Sequence, residues 1–440
     1  MVTDAVYYFK KARSRALLLL IGLVCVLLLK AEGNDRNASV PMTFGPEVYT
    51  ERRLALLDSL GDGMAIIYSR GDWGEMGYRA DGDFWYLTGL DDPGAILLLA
   101  PREKHRAVLF LAPRDPEEER WLGERASLTD SLKTALQVDD INRTSELDWW
   151  LTSRIGHLPV LHMISRPVGP GSEIPPDMAL YSKICDRIPG VTTKNSSKFL
   201  EAMRMRKSPS EIAAIEKAIE VTYQGLIESL PLIRPGVSEF QLAAKLQESC
   251  KQQGAQFASF APIVGAGRHS TVLHYGRLDK EIKPGELVLI DFGAEWNHYA
   301  ADITRTFPVD GKFTEAQAQI YDVVLEAQKA AIEAIKPGIT PDSVHAIARG
   351  VIQRAGYVDA FIHGTSHYLG IETHDVGDYW QPLEPGMVIT VEPGVYLPES
   401  GIGIRIEDDV LVTENGHRVL SNQIPKERTE IEQWMALTDH

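Results

Sequence analysis

The sequence predicts an α+β protein in which a duplicated, pseudo-twofold domain fills the second half of the chain and a smaller α/β domain precedes it. Three observations predict this. LIRPGVSEFQLAAKLQESCKQQG, starting at Leu232, returns as AIKPGITPDSVHAIARGVIQRAG, starting at Ala334. KPGELVLIDFG from Lys283 returns as EPGMVITVEPG from Glu384, so that Pro284, Gly285, Asp291 and Gly293 match Pro385, Gly386, Glu392 and Gly394. Upstream of both, short β-rich runs alternate with helical pieces. The repeat offset of about 100 residues is far too long for a solenoid. Two half-domains should therefore face each other, with a site where they meet.

In chain order, the first element is Lys10, Lys11, Arg13 and Arg15 followed by the apolar run Ala16–Leu29. As a helix this run would span roughly 21 Å, short of the ~30 Å hydrocarbon core. Residues 1–33 therefore read as a signal peptide, with small residues for cleavage after Gly33, or as a membrane anchor through residues 16–29. The expected location is exported, periplasmic or secreted, or anchored at the N-terminus; a cytoplasmic protein with a mis-chosen start codon is the alternative. A polar tether leads into a domain at 40–195, where Arg52–Leu60 reads as a helix end and Met64–Tyr68, Ala95–Ala100 and Ala107–Leu111 read as strands. A boundary is placed near Val191–Lys198, before a helix opened by Ser208-Pro209-Ser210-Glu211, which supplies an N-cap, a first-turn proline and an early acid. The second domain then occupies 200–435.

The formal net charge of −16 argues against a nucleic-acid partner, since no basic cluster occurs after the N-terminus. Cys25, Cys185 and Cys250 have no C-x-x-C spacing, which excludes a thiolate metal cluster; buried thiols are expected, with a Cys185–Cys250 disulfide as the alternative.

Asp291 ends the apolar strand LVLID, and Asp302 sits in the next, YAADITRTF, with Glu295–His298 as the turn. A hairpin symmetric about that turn would set the two acids directly opposite, with Cβ atoms roughly 4.5–5.5 Å apart. Glu392 and Glu407 stand in the same relation about Pro398–Gly401. Four inward carboxylates among Val, Ile and Leu would be costly without counter-charge. Arg305 and Arg405 could supply some as plain salt bridges, but two divalent ions would offset the acids nearly one for one. Three histidines in FIHGTSHYLGIETHDVG, His363, His367 and His374, add imidazole near the acids. A donor set rich in oxygen suits Mn²⁺ first, with Co²⁺ or Fe²⁺ as alternatives and Zn²⁺ tolerated. Paired ions of this kind activate water and polarise carbonyls. That is hydrolase equipment, although no H-E-x-x-H helix is present.

VLHY at 272–275, IDFGAEWNHYAADITRTF at 290–307, HGTSHYLGIETHDVG at 363–377, ITVEPGVY at 389–396 and IGIRIEDDVLVT at 402–413 occur in this order. Together they make residues 201–430 resemble the pita-bread metallopeptidases, the family of methionine aminopeptidase, prolidase and aminopeptidase P. The resemblance implies a pita-bread fold and metal ligands Asp291, Asp302, His367, Glu392 and Glu407. It also implies that His274, His363 and His374 line the substrate cleft. Glu392 would double as general base toward the water the ions share, supported by Tyr396 and Arg405. DGDFWYLTGLDDPGAILLLAP, Asp81–Pro101, is similar to the aminopeptidase P N-terminal domain, which methionine aminopeptidase lacks; the creatinase branch lacks the ligands.

The activity implied is that of an Xaa-Pro aminopeptidase, acting on peptides with proline second, with an Xaa-Pro dipeptidase as the alternative and an inactive peptide-binding module more distant. A surface adhesin would leave the acid pairs unexplained. The likeness also suggests a homodimer or homotetramer. Arg268 and His269 stand where smaller or amide residues are expected, which would alter the pocket beyond the proline.

Overall fold

The computed structural model describes residues 42–74, 77–166 and 168–437. The apolar run at 16–29, the cleavage position after Gly33 and Cys25 lie outside the described residues. No helix among the described residues is long and apolar enough to cross a membrane.

The first part builds on a six-stranded sheet. Its strands are β1 (Met64–Tyr68), β4 (Ile96–Leu99), β5 (Ala107–Leu111), β6 (Asp140–Arg143), β7 (Val160–Met163) and β8 (Thr192–Asn195), in the order β6-β5-β4-β1-β7-β8; β2 (Gly71–Gly74) and β3 (Gly77–Ala80) form a separate hairpin. Because side chains alternate along a strand, Met64, Ile66, Ile96, Leu98, Val108 and Phe110 pack to one face with Trp150, Leu151, Tyr181 and Ile184 from two covering helices. Ala65, Ile67, Leu97, Leu99, Leu109 and Leu111 pack to the other and join an apolar cluster that continues into the second half of the chain. The helix Pro46–Leu60 sits in that shared interior through Leu56, Leu57 and Leu60. The two parts therefore share a core.

The second part shows the duplication directly. Helices Pro209–Ser229 and Glu239–Gln252 are followed by an antiparallel sheet of β10 (Ile263–Ala266), β11 (Leu287–Phe292) and β14 (Ile303–Pro308). Beside it lies a small sheet of β9 (Phe257–Ala258), which precedes β10, with β12 (Ala294–Trp296) and β13 (Tyr299–Ala300), which connect β11 to β14. Helices Glu315–Glu333 and Pro341–Arg354 are followed by β15 (Val388–Val391), β16 (Gly394–Leu397), β17 (Ile402–Arg405), β18 (Asp408–Thr413) and β19 (Gly416–Val419), with β15-β18-β19 forming the equivalent sheet. The repeated Pro-Gly turns place Gly236, Gly285, Gly338 and Gly386 at φ of +86°, +77°, +94° and +89°. Only glycine adopts that conformation without strain, at the third position of a type II turn. After the first member of each repeat, Ser238 or Thr340 caps the next helix with its hydroxyl. Ser208 opens the helix Pro209–Ser229 with a reciprocal capping box to Glu211.

Candidate metal centre

In the second half, β15 pairs with β18 and β16 with β17 in one continuous register, Val391 opposite Asp408 and Gly394 opposite Arg405. That register puts Glu392 opposite Glu407, as their spacing about Pro398–Gly401 predicts. In the first half the expected pairing is corrected. Asp291 lies opposite Thr304, and Asp302 stands two residues earlier, just before β14. The turn is Asn297-His298 and not Glu295–His298, with φ of 51° and 66° at the two central residues and Trp296 opposite Tyr299. A two-residue turn with both φ positive matches the strand twist, and its centre lies one residue later than symmetry about Asp291 and Asp302 requires. Since strand side chains repeat every second residue, the two-residue slip leaves Asp302 on the face of Thr304 and makes the acids diagonal neighbours.

Asp291, Asp302, His367, Glu392 and Glu407 all line one cleft of about 1160 Å³, together with His274, His363, His374 and Arg405. Donor atoms of Asp302, His367 and Glu407 lie within 4.8 Å of one another. His367 Nε2 is 3.3 Å from Asp302 and 3.6 Å from Glu392, while Nδ1 lies 3.1 Å from the Tyr368 carbonyl. Donation from Nδ1 to that carbonyl leaves the Nε2 lone pair aimed into the acids. Burial lowers the His367 pKa to about 4, so the ring is neutral at ordinary pH and available as a ligand.

The acids are crowded. Burial first, then Glu407, Asp291, Asp409 and Glu392, hold Asp302 well above the usual carboxylate range; burial, Glu392 and Asp291 do the same to Glu407. Glu392 is raised by burial, against the lowering pull of Arg405. Arg405 donates to Asp291 Oδ2 at 2.5 Å, and Asp291 Oδ1 is buried with no hydrogen-bond partner. Arg305 goes elsewhere, to Asp408 at 2.8 Å. One guanidinium against four carboxylates leaves several kcal/mol of desolvation uncompensated per remaining charge, by order of magnitude. An orphaned buried oxygen, a lone pair aimed inward and unneutralised acids fit divalent cations with oxygen and imidazole donors.

Around the acids the polar groups are linked. Tyr396 Oη lies 2.8 Å from His363 Nε2 and accepts from Arg405 Nη1 at 2.9 Å. Arg405 Nε donates to Thr304 Oγ1 at 3.0 Å, and the Thr304 hydroxyl donates to Glu407 at 2.6 Å. Burial and the nearby Arg405 lower His363 to about 4. His374 is exposed to the cleft, its ring centroid 4.3 Å from that of His367. His274 is also exposed on the cleft wall.

Arg268 and His269, expected to alter the pocket, are not among its lining residues. His269 turns to the buried Glu239, Nδ1 to Oε1 at 2.9 Å, and stacks on Tyr275. Sequence reasoning missed Arg79, Glu295 and Glu372 on the cleft wall. Arg79 reaches from β3 to grip Glu295 with Nε, 2.8 Å to Oε2, and to donate to the Ile371 carbonyl. An acid inside the strand pattern of Glu295 was the one available signal. Cys185 and Cys250 are both free.

Residues 213–414 match metallopeptidase family M24, and residues 49–161 match the aminopeptidase P N-terminal domain. The chain is 36% identical over 390 residues to an Xaa-Pro aminopeptidase of Haemophilus influenzae, covering 81% of this chain and 88% of the relative. It is 35% identical over 433 residues to that of Escherichia coli, covering 88% and 97%. The structure of aminopeptidase P from E. coli with the inhibitor Pro-Leu superposes with a TM-score of 0.81 at 33% identity, over 90% of this chain and 99% of that one. An Xaa-Pro dipeptidase of Pyrococcus furiosus is 44% identical, but over 226 residues, half of this chain and 64% of the relative. With both parts of the chain matched and relatives covered nearly end to end, this chain belongs to metallopeptidase family M24, in its aminopeptidase P branch.

Proposed function

We propose that this chain is a metal-dependent Xaa-Pro aminopeptidase, which hydrolyses the bond between the first residue of a peptide and a proline in second place. The observation that carries the reading is the convergence of Asp291, Asp302, His367, Glu392 and Glu407 in one cleft behind an aminopeptidase P N-terminal domain. Those five residues would hold two divalent ions, Mn²⁺ first on donor chemistry. Such ions, when bound, lower the pKa of a water molecule and polarise a carbonyl.

The chain's own residues do the rest. Glu392 would take on its carboxylate the proton that a water molecule gives up as the water oxygen adds to the scissile carbonyl carbon; His363 Nδ1 lies 3.9 Å from Oε2. The same carboxyl would return that proton to the proline nitrogen as the C–N bond breaks. Tyr396, itself bonded by Arg405, hydrogen-bonds His363 and holds it in place, and His274 and His374 offer imidazole to substrate from the cleft walls.

A rate comparison tests the reading. Purified protein with Mn²⁺, and a chelator control, is given a Gly-Pro dipeptide and an Arg-Pro-Pro tripeptide. Chelator-sensitive cleavage favouring the tripeptide is expected; cleavage of the dipeptide alone would make the chain a dipeptidase. Replacing His374 with alanine should lower turnover and leave metal content unchanged.

Export or N-terminal anchoring, read from Ala16–Leu29, is supported by the basic residues before it, and N-terminal sequencing of the mature protein checks it. A homodimer or homotetramer, which the likeness to aminopeptidase P suggests, is checked by light scattering.

A further inference from the structure

Arg204, at the end of the helix Ser197–Met205, is a fully buried guanidinium that no part of the reaction described above uses. Its Nη1 donates to Asp83 Oδ1 at 2.6 Å, in the N-terminal domain. Nη2 donates to Asp375 Oδ1 at 2.6 Å and lies 3.5 Å from Glu372 Oε1. Lys207 Nζ donates to the other oxygen of Asp375 at 3.1 Å. Asp375 also has its own N–H bonded to the Tyr368 carbonyl.

Two of the three acids that Arg204 meets, Glu372 and Asp375, bracket a short turn, Glu372-Thr373-His374-Asp375. Glu372, Thr373 and His374 line the cleft, while Asp375 points away from it into the buried cations. The approach is tight. A Cβ on Gly370 would fall 2.0 Å from Asp375 Oδ2, and one on Gly82 would fall 2.8 Å from Arg204 Nη2 and 2.9 Å from Glu372 Oε1. A planar fork gripping both ends of a turn fixes its orientation, which a flexible single-point ammonium does not.

We infer that Arg204 is a positioning residue: by tying Asp375 and Glu372 to Asp83, it holds His374 over the cleft and makes the N-terminal domain part of the catalytic apparatus. The inference rests on the proposed role of His374.

The test is a double-mutant cycle on the full chain with Mn²⁺ and the tripeptide. Arg204→Lys should lower kcat about tenfold or more with KM changed less than threefold and metal content unchanged. In the His374→Ala background, the same substitution should change kcat less than twofold, because its effect passes through that ring. Asp83→Asn, a milder change at the domain contact, should show the same pattern with a smaller loss, and it serves if Arg204→Lys fails to fold. Hydrogen exchange over residues 369–379 should quicken in both variants while that over 386–413 stays as in the parent. Equal losses in both backgrounds, or unchanged exchange at 369–379, would overturn the inference. Full activity of His374→Ala alone would instead overturn the role of His374.

Discussion

A single hydroxyl, that of Tyr396, joins His363 to Arg405, which in turn holds Asp291. Tyr396→Phe removes that link without altering any of the five proposed ligands. The expected outcome is a fall in kcat/KM of about tenfold, on the scale of one buried hydrogen bond, with metal content unchanged by elemental analysis. Asp302→Ala is expected to do the opposite in kind: it should lower metal content itself and reduce turnover at least a hundredfold, since the residue shares a 4.8 Å cluster with His367 and Glu407. At this scale the sequence was highly legible for residues that recur in motifs. It was blind to Arg79, Arg204 and Asp375, whose partners lie far away in sequence: 121 residues separate Arg204 from Asp83, and 171 separate it from Asp375. No local pattern encodes such a pair.

At the scale of elements, the two hairpins show what spacing can and cannot tell. The second was read in register because its turn is marked by Pro398 and Gly401, residues that punctuate a chain. The first was read two residues out, because Asn297-His298 takes the conformation of an Asn-Gly turn with no glycine present to announce it. Here His298 is held instead by its partners. Its Nε2 lies 2.7 Å from Asp91, and its ring stacks 4.3 Å from that of Trp85, both in the N-terminal part. Asn297→Ala, which puts an ordinary side chain in the left-handed region, is expected to cost about 1 kcal/mol, measurable as a lower urea midpoint with an unchanged slope. Gly403→Ala should cost more, about 2 kcal/mol, because its Cβ would fall 2.0 Å from the Ser270 carbonyl oxygen in the segment leading to His274.

Across the whole molecule, the buried ions between the two parts tie stability to pH. Burial alone would raise the Asp375 carboxyl, but Arg204 and Lys207 together bring it below the ordinary value. A folded-state pKa below the unfolded one means that the stabilisation is complete above the unfolded value of about 4 and is lost as pH falls through the folded one. Metal-free protein should therefore keep a steady contribution from this carboxylate between pH 7 and 5, then lose it below pH 4. Asp375→Asn should flatten that part of the acid limb in urea titrations, and an acid limb identical to the parent's would remove Asp375 from the account. The duplication that organises the fold was visible in the sequence as matched Pro-Gly turns; the union of its first half with the N-terminal domain was not, because that union is made by side chains from many separate segments.

The shared interior has a practical side for anyone engineering this protein. Phe44 and Trp85 pack against Tyr299, and Arg52 pairs with Glu211 at 3.3 Å. A gene shortened to encode only residues 200–437 would lay bare Tyr299 and strand its partner acid Glu211. Such a fragment should be recovered from cells in the insoluble fraction, so a smaller enzyme would first require that seam to be repainted with polar residues.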